Sequence, residues 1–292
     1  MAKVVLTTKV DPTYDDLPEE RYHFPQKYLR QVEKAIGDWV VYYEPRRSTA
    51  ELSSRGGRQS YFATARLLRV EPDPNLEEHY YAFVTNYLEF DHPVPFKDGQ
   101  HYFESSLQRE DGQTNRGAFG WAVRTLSDSE YDLIMQAGFV KTLKLQPEPS
   151  LEEIILNERP IIERVVSRPF RDAAFAVAIK EAYNNTCAMT GLKITNGRGR
   201  TEVQAAHIQP VSENGPDSLR NGVALSGTIH WMFDNGLVSI DDDYSILIDK
   251  DRLPETAVRL LNQDRRLRMP ARDDMRPHRH FLNFHREKIF KK

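Results

Sequence analysis

Cysteine is almost absent from this chain of 292 residues, because Cys187 is the single one. One thiol excludes an internal disulfide and a zinc site built from paired cysteines. No apolar run approaches the ~20 residues that a membrane-spanning helix needs. Residues 1–16 lack the apolar core of a secretory signal, and repeats and low-complexity segments are missing too. These absences predict a cytoplasmic protein with no membrane partner.

Charge of either sign is not in large excess, since the formal net charge is −3. A chain with so little net charge is not a general polyanion binder. The charge is uneven, however, because residues 262–292 hold ten Lys or Arg against four Asp or Glu. Local basic clusters predict an anionic partner that binds at a defined place, whereas the alternative for any one of them is ordinary solvated surface charge.

The first 140 residues predict a small β-barrel with peripheral helices, which makes the chain α+β. The segment 21–37 is typical of a helix that ends at Gly37, and Ser127 and Glu130 have the spacing of a capping box. Four runs rich in β-branched and aromatic residues are typical of strands, at 38–45, 60–72, 79–90 and 119–126.

The remaining sequence predicts a linker at 141–167 and a second domain at 168–292. An amphipathic helix at 168–186 opens this domain. The elements predicted after it are two strands at 187–193 and 201–208, a helix at 228–236 and a hairpin at 237–249.

Four residues in the second domain form the candidate catalytic group. His230 and Asp234 stand four apart in the predicted helix, so they share a face and can hold one divalent ion. His207 ends a predicted strand, where a neutral imidazole can take a proton from water. The amide of Asn221 can hold the loop between them. Together these residues supply what metal-assisted hydrolysis of a phosphodiester requires.

Four linked motifs surround this group: CAMTG at 187–191, AAHIQP at 205–210, NG at 221–222 and HWMFDNG at 230–236. In these motifs the segment 168–249 resembles HNH endonucleases of the ββα-metal fold. The resemblance implies that His207 is the general base, that Asn221 organises the loop, and that His230 binds Mg²⁺ or Mn²⁺. Asp234 stands where some relatives carry a further ligand.

This sequence departs from the HNH pattern in two places. Many relatives have Asp or His directly before the general base, where this chain has Ala206. The metal shell is therefore thinner, or another residue such as Gln204 completes it. Paired CxxC motifs are missing, so Cys187 is predicted to be a buried core thiol. Arg198 and Arg200 precede the catalytic strand and are candidate DNA contacts, with turn solubility as the alternative.

The first domain resembles, less specifically, the PUA-like superfamily and its EVE branch. The resemblance lies in the segments 37–47, 61–70, 81–96 and 122–135. It implies a reader that holds one flipped-out modified base in an aromatic pocket, with Arg46 and Arg47 on the neighbouring phosphates. The candidate pocket residues are His23, Phe24, Trp39, Tyr42, Tyr43 and Ser105. Alternation along a strand places Trp39 and Tyr43 on one face and Tyr42 on the other, and either set is the core.

A base reader joined to an HNH nuclease resembles modification-dependent restriction endonucleases of the EVE–HNH type. The resemblance implies a partner that is double-stranded DNA with 5-methyl- or 5-hydroxymethylcytosine, and no nucleotide cofactor. One HNH site cuts one strand, so a double-strand break predicts a homodimer. Two alternatives stay open. The reader recognises RNA or unmodified DNA, or the chain is a binding module with a decayed nuclease site, which Ala206 favours.

Overall fold

The computed structural model describes residues 2–8, 17–45, 59–145 and 167–291. The chain divides into two compact units, Met1–Ala174 and Phe175–Lys292. The mixed α+β class is confirmed, whereas the predicted domain boundaries stay predictions. Arg46, Arg47 and most of the predicted linker lie outside the described residues. In the part of the chain that the structure describes, no helix is long and apolar enough to span a bilayer.

The first unit is built on a six-stranded sheet. Its strands are β1 (Lys3–Thr7), β2 (Arg21–Pro25), β3 (Trp39–Glu44), β4 (Ser60–Pro72), β5 (His79–Pro95) and β8 (Val123–Leu126). They lie in the order β2-β5-β4-β3-β1-β8, and all neighbours are antiparallel except β1 and β3. Register shifts along the long pair β4 and β5 curl the sheet into a half-barrel. Among the described strands β2 and β8 are edges, so the closed PUA-like barrel stays a prediction.

Helices and short strands complete this unit. They are β6 (Lys97–Asp98), β7 (His101–Tyr102), α1 (Leu29–Glu33), α2 (Asp128–Gly138) and α3 (Val140–Leu145). The predicted capping box of α2 is confirmed, because Ser127 Oγ accepts from the backbone N–H of Glu130 and a Glu130 carboxylate oxygen accepts from that of Ser127. The reciprocal bonds satisfy two backbone N–H groups that the first helical turn leaves without partners.

The helix predicted at 21–37 is largely wrong. Its first five residues form β2, which pairs with β5, and only Leu29–Glu33 is α-helical. Pro25 explains the difference, since proline disfavours helix at the preceding residue and cannot donate a backbone hydrogen bond inside one. The strand predicted at 119–126 begins only at Val123, and β1 was not predicted at all.

Both faces of the sheet are buried, which decides the question that alternation left open. Trp39 and Tyr43 pack in one apolar cluster beneath α2, while Phe24 and Tyr42 pack in a second one. All four side chains are at most 6% exposed. Neither strand face is therefore free, and these aromatic residues cannot together line one pocket. Phe24, Trp39 and Tyr42 fill these two cores, and their role as pocket residues stays a prediction.

The helix α4 (Arg168–Ala182) crosses the boundary between the units, and its part from Phe175 onward belongs to the second unit. Two strands and a helix follow it along the chain. These elements are β9 (Gln204–His207), β10 (Gly222–Leu225) and α5 (Gly227–Asp234). The predicted hairpin is confirmed, and its strands are β11 (Val238–Ile240) and β12 (Ile246–Ile248). The α-helices α6 (Glu255–Val258) and α7 (Arg279–His285) follow it.

The predicted strand at 187–193 is wrong, because this segment is a tight turn. Gly191 donates a backbone hydrogen bond to Cys187, and the N–H of Cys187 bonds to the carbonyl of Leu192. Gly191 has a φ of +71°, which a strand residue with a side chain rarely adopts. Cys187 is fully buried, as predicted.

His285 gives the second unit a pH-dependent stability. It is 1% exposed, stacks on Phe233 and bonds to Ser239. Burial lowers the pKa of His285 to about 4, helped by the charge of Arg286, although the carbonyl of Phe233 acts in the opposite direction. The unfolded chain takes up this proton near pH 6.5. Stability contributed by neutral His285 is therefore present above pH 6.5 and is lost as pH falls toward 4.

We expect the free energy of unfolding to fall between pH 7 and pH 5 by about 2 kcal/mol through this group alone. Urea denaturation of the wild type and of His285→Gln at both pH values measures it. The glutamine variant should be less stable at pH 7 but should lose less on acidification. Equal losses in the two proteins would contradict the assignment.

Candidate active site

Two paired strands and one helix bring the predicted catalytic residues together. His207, at the end of β9, lies opposite Gly222 at the start of β10. The helix α5 follows β10 after Ser226, and the backbone N–H of its first residue, Gly227, donates to the carboxylate of Glu202 at 2.6 Å. The ββα unit therefore places a strand end beside a helix face.

The ring of His207 is held from two sides. Its Nε2 lies 2.9 Å from Oδ1 of Asp217, and its ring stacks on Phe175 at 3.8 Å between centroids with 12° between planes. Asp217 is 2% exposed. Sequence reasoning missed both partners, since Asp217 stands in a turn-rich loop without periodicity and Phe175 has the pattern of an ordinary helix core residue.

Gly222 is required by the packing behind His207. A Cβ there would lie 2.1 Å from Cδ1 of Ile179 and 2.9 Å from Cζ of Phe175. We expect Gly222→Ala to destabilise the chain by about 1–3 kcal/mol through overpacking and to displace the ring that supports His207. Urea unfolding and nicking rates test this. A matched control for the unfolding measurement is Gly120→Ala, where the added Cβ meets nothing within 4 Å. Wild-type stability in the Gly222 variant would contradict the account.

Asn221 is fully buried and fastens the loop between the two strands. Its Oδ1 accepts from the N–H of Gln209 at 2.8 Å, and its Nδ2 donates to the carbonyls of Gln209 and Pro216 at 3.0 and 2.9 Å. The amide therefore uses both its donors and its acceptor within this loop. This is the loop-holding arrangement that the sequence predicted for Asn221.

His230 and Asp234 share one face of α5. His230 Nε2 lies 3.4 Å from Oδ2 of Asp234, while its Nδ1 lies 2.8 Å from Oε1 of Gln204. Burial raises the pKa of the Asp234 carboxyl, and the nearby His230 and His207 lower it by a smaller amount. An amide oxygen only accepts, so Nδ1 of His230 donates to Gln204, while Nε2 lies on the side of Asp234. Gln204 thus orients His230.

Residues 187–241 match the family model for HNH endonuclease. The chain carries an HNH endonuclease domain. This domain contains all four predicted catalytic residues and makes the protein an HNH-type nuclease. No curated protein sequence matches the chain significantly.

Two solved structures show a low overall similarity to the nuclease. A "Modification dependent TagI restriction endonuclease" is 15% identical, with 98% of this chain and 81% of that chain covered and a TM-score of 0.31. The type IV phosphorothioation-dependent restriction endonuclease ScoMcrA is 12% identical, with 78% and 46% covered and a TM-score of 0.19. TM-scores of this size do not establish a shared fold.

A divalent ion is the cofactor that an HNH nuclease implies. The ring nitrogen of His230 and the carboxylate of Asp234 fit as two ligands, and Gln204 supplies the outer hydrogen bond typical of a metal-bound histidine. Within the described ranges no group of three His, Cys, Asp or Glu side chains is placed to hold a metal. Ala206 is buried in the core and offers no donor. Two protein ligands suit an ion that keeps water and substrate oxygens in its other positions.

The basic residues that the sequence singled out in the second unit lie in two different environments. Arg198 and Arg200 are exposed in the turn before β9, where both backbone N–H groups bond to Oδ1 of Asn196. In the basic segment 262–292 much of the charge is paired with carboxylates. Those pairs are Arg266–Asp243, Arg268–Asp264, Arg272–Asp274, Arg276–Asp273 and Arg286–Asp242. Two of these partners, Asp242 and Asp243, lie outside the segment, so the sequence count overstated its net positive charge.

A cavity of about 810 Å³ lies in the first unit, in a region that the sequence did not single out. Of the six candidate pocket residues only Tyr43 lines it. Partly exposed aromatic side chains from the segments after β5 line the cavity as well. The principal lining residues are Tyr43, Phe96, Lys97, Gln100, Tyr102, Gln113, Arg116 and Phe119. The lining combines aromatic rings, two cations and amides, with no acidic side chain among the residues that form it.

The other two pocket candidates have structural contacts instead. His23 is 5% exposed, lies 2.9 Å from Asp73 and stacks on Tyr81 at 4.6 Å. Ser105 begins a short 3-10 helix and donates its backbone N–H to Glu130 at 2.6 Å. Neither residue lines the cavity, and their role in a base pocket stays a prediction. The side chains that do line it lie outside regular strand periodicity, which is why the pattern did not reveal them.

Proposed function

We propose that the chain is a metal-dependent DNA endonuclease directed to DNA that contains 5-methyl- or 5-hydroxymethylcytosine. The observation that supports the nuclease part is the ββα unit, in which His230 lies 3.4 Å from Asp234 and the charges of His230 and His207 both act on the Asp234 carboxyl. A base and two metal donors on adjacent elements can act on one phosphodiester. The proposed catalytic residues are His207, Asn221 and His230.

The proposed mechanism assigns one task to each side chain. His207 takes the proton of the attacking water, because Nε2 is engaged by Asp217 and Nδ1 remains for the reaction. Asn221 keeps the loop between the strands in place. His230 and Asp234 would hold Mg²⁺ or Mn²⁺, which when bound stabilises negative charge on the phosphate and the leaving oxygen. Arg198 and Arg200 are proposed to contact the DNA backbone at the turn before β9.

The proposed reader is the cavity of the first unit. A flipped base needs rings to stack on and polar groups that recognise its edge, and Phe96, Tyr102 and Phe119 with Gln100 and Gln113 supply both. Lys97 and Arg116 suit the phosphates beside such a nucleotide. The preference for modified cytosine rests on the resemblance of the whole arrangement to EVE–HNH enzymes. A homodimer is proposed because each nuclease site cuts one strand.

Matched plasmids test this function. One is unmodified, and the other carries 5-methyl- or 5-hydroxymethylcytosine throughout. With Mg²⁺ or Mn²⁺ we expect the modified plasmid to be nicked at least ~10-fold faster, the discrimination that one group in a pocket can supply. Phe119→Ala should reduce the ratio, whereas Trp121→Ala, whose side chain is 49% exposed and lies outside the lining, should keep it.

Three results would contradict the proposal in different ways. Equal nicking of both plasmids would remove the preference for modified cytosine. Stronger competition by RNA or unmodified DNA would favour a reader of another nucleic acid. Tight binding of modified DNA without nicking under any divalent ion would indicate a decayed nuclease site.

A further inference from the structure

A carboxylate that the HNH motif does not include lies directly behind the proposed base. The side chain of Asp217 is 0% exposed, and its Oδ1 is 2.9 Å from Nε2 of His207. Asp217 and His207 come from different sides of the loop that Asn221 fastens, so their distance is set by that loop. A buried charged group persists where it makes compensating hydrogen bonds, which points to a defined role for this one.

The contact fixes the tautomer of His207. An ionised carboxylate only accepts hydrogen bonds, so Nε2 carries the ring proton and the lone pair of the neutral ring is on Nδ1. The stacked ring of Phe175 limits rotation of the imidazole about its long axis. When Nδ1 takes a proton from water, the imidazolium that forms has the negative charge of Asp217 on its far side.

We infer that Asp217 is a positioning residue that holds His207 in the tautomer and orientation in which Nδ1 acts as the base. The inference rests on the proposed nuclease function. It adds a residue outside the HNH signature, and it makes the base of this chain a His–Asp pair.

Substitutions at Asp217 test whether this residue affects the rate of DNA nicking. We expect Asp217→Asn to lower the single-turnover nicking rate by about 100-fold, within the range that a misplaced general base loses. DNA affinity, measured separately, should not change, and Asp217→Glu should recover part of the rate. The control is Glu213→Gln, which removes a carboxylate from an exposed residue of the same loop without touching His207. A wild-type rate in Asp217→Asn would overturn the inference.

A double-mutant cycle separates positioning from simple folding. If Asp217 acts through His207, Asp217→Asn should cost nothing further in a His207→Ala background. A second large loss in that background would show a role elsewhere and would overturn the inference.

The tautomer is measurable in the unmodified protein, which avoids the question whether a variant folds. With ¹⁵N-labelled histidine at a pH where the ring is neutral, the signal that His207→Gln removes should show the proton on Nε2. A proton on Nδ1 would overturn the inference. If His207→Ala still nicks DNA at the wild-type rate, the proposed base fails, while the tautomer measurement still decides the His–Asp pair.

Discussion

Replacing His207 by alanine is expected to lower the rate of phosphodiester cleavage by roughly 10²–10⁴-fold, the usual contribution of a general base. The expectation follows from the geometry. The ring lies at the end of β9, is supported by Phe175 and Asp217, and is brought by the ββα unit to the face of α5 that carries His230. Without the imidazole the site retains both proposed metal ligands but has no group positioned to accept the proton of water.

The measurement is single-turnover nicking of modified plasmid DNA, accompanied by DNA binding and urea unfolding. DNA binding should change little. Stability is measured separately, because His207→Ala removes the partner of the buried Asp217 carboxylate and the stacking contact with Phe175, and the rates are compared where both proteins are folded. His92→Ala is the matched control, since His92 is exposed on β5 in the other unit. A His207→Ala protein that nicks as fast as His92→Ala would refute the assignment of His207 as the base.

Local sequence spacing was sufficient to predict that His230 and Asp234 lie on one face of a helix. The spacing of His230 and Asp234 fixes one helix face, and the glycine at 236 ends that helix with a φ of +65° where a Cβ would lie 2.3 Å from the carbonyl of Ile289. Asp217 could not be predicted in the same way. Its contact with His207 depends on how a loop closes, and no periodicity records that closure.

The first unit was harder to predict because its sheet is covered on both sides. Alternation separates Tyr42 from Tyr43, but it assigns one face to the core only when the other face is exposed. Here both belong to apolar clusters. The cavity is instead lined by irregular segments around Phe96 and Phe119, whose positions depend on the packing of the whole unit. The sequence therefore did not locate the aromatic residues that line this cavity.

Removing one partner of the buried ion pair of Arg124 and Glu104 is expected to destabilise the first unit strongly. Arg124 donates from Nε and Nη2 to the two carboxylate oxygens of Glu104 at 2.7 and 2.8 Å, and from Nη1 to Thr7 at 2.9 Å. Tyr61 donates to the same carboxylate at 2.6 Å. Burial and Glu104 raise the pKa of the Tyr61 hydroxyl, which therefore keeps its proton. Both charges are at most 2% exposed, so neither can be solvated if its partner is removed.

We expect Arg124→Met to lower the free energy of unfolding by about 3–5 kcal/mol, the cost of leaving one buried charge without its partner. Urea denaturation measures it. Adding Glu104→Gln to Arg124→Met should restore part of the loss, because the uncompensated charge is then removed as well. The control is Arg69→Met, whose pair with Glu71 is about half exposed and should contribute at most ~1 kcal/mol.

A comparison of the Arg124→Met, Glu104→Gln protein with the Arg69→Met protein also separates an effect on stability from an effect on DNA recognition. The Arg124 guanidinium lies 4.9 Å from the ring of Tyr43, which lines the cavity. If the cavity is the reader, the Arg124→Met, Glu104→Gln protein should discriminate between modified and plain DNA less well than the Arg69→Met protein. Their nicking of plain DNA should be alike, because the HNH site is built entirely from the second unit. Loss of discrimination together with loss of plain nicking would instead mean that the pair supports folding alone.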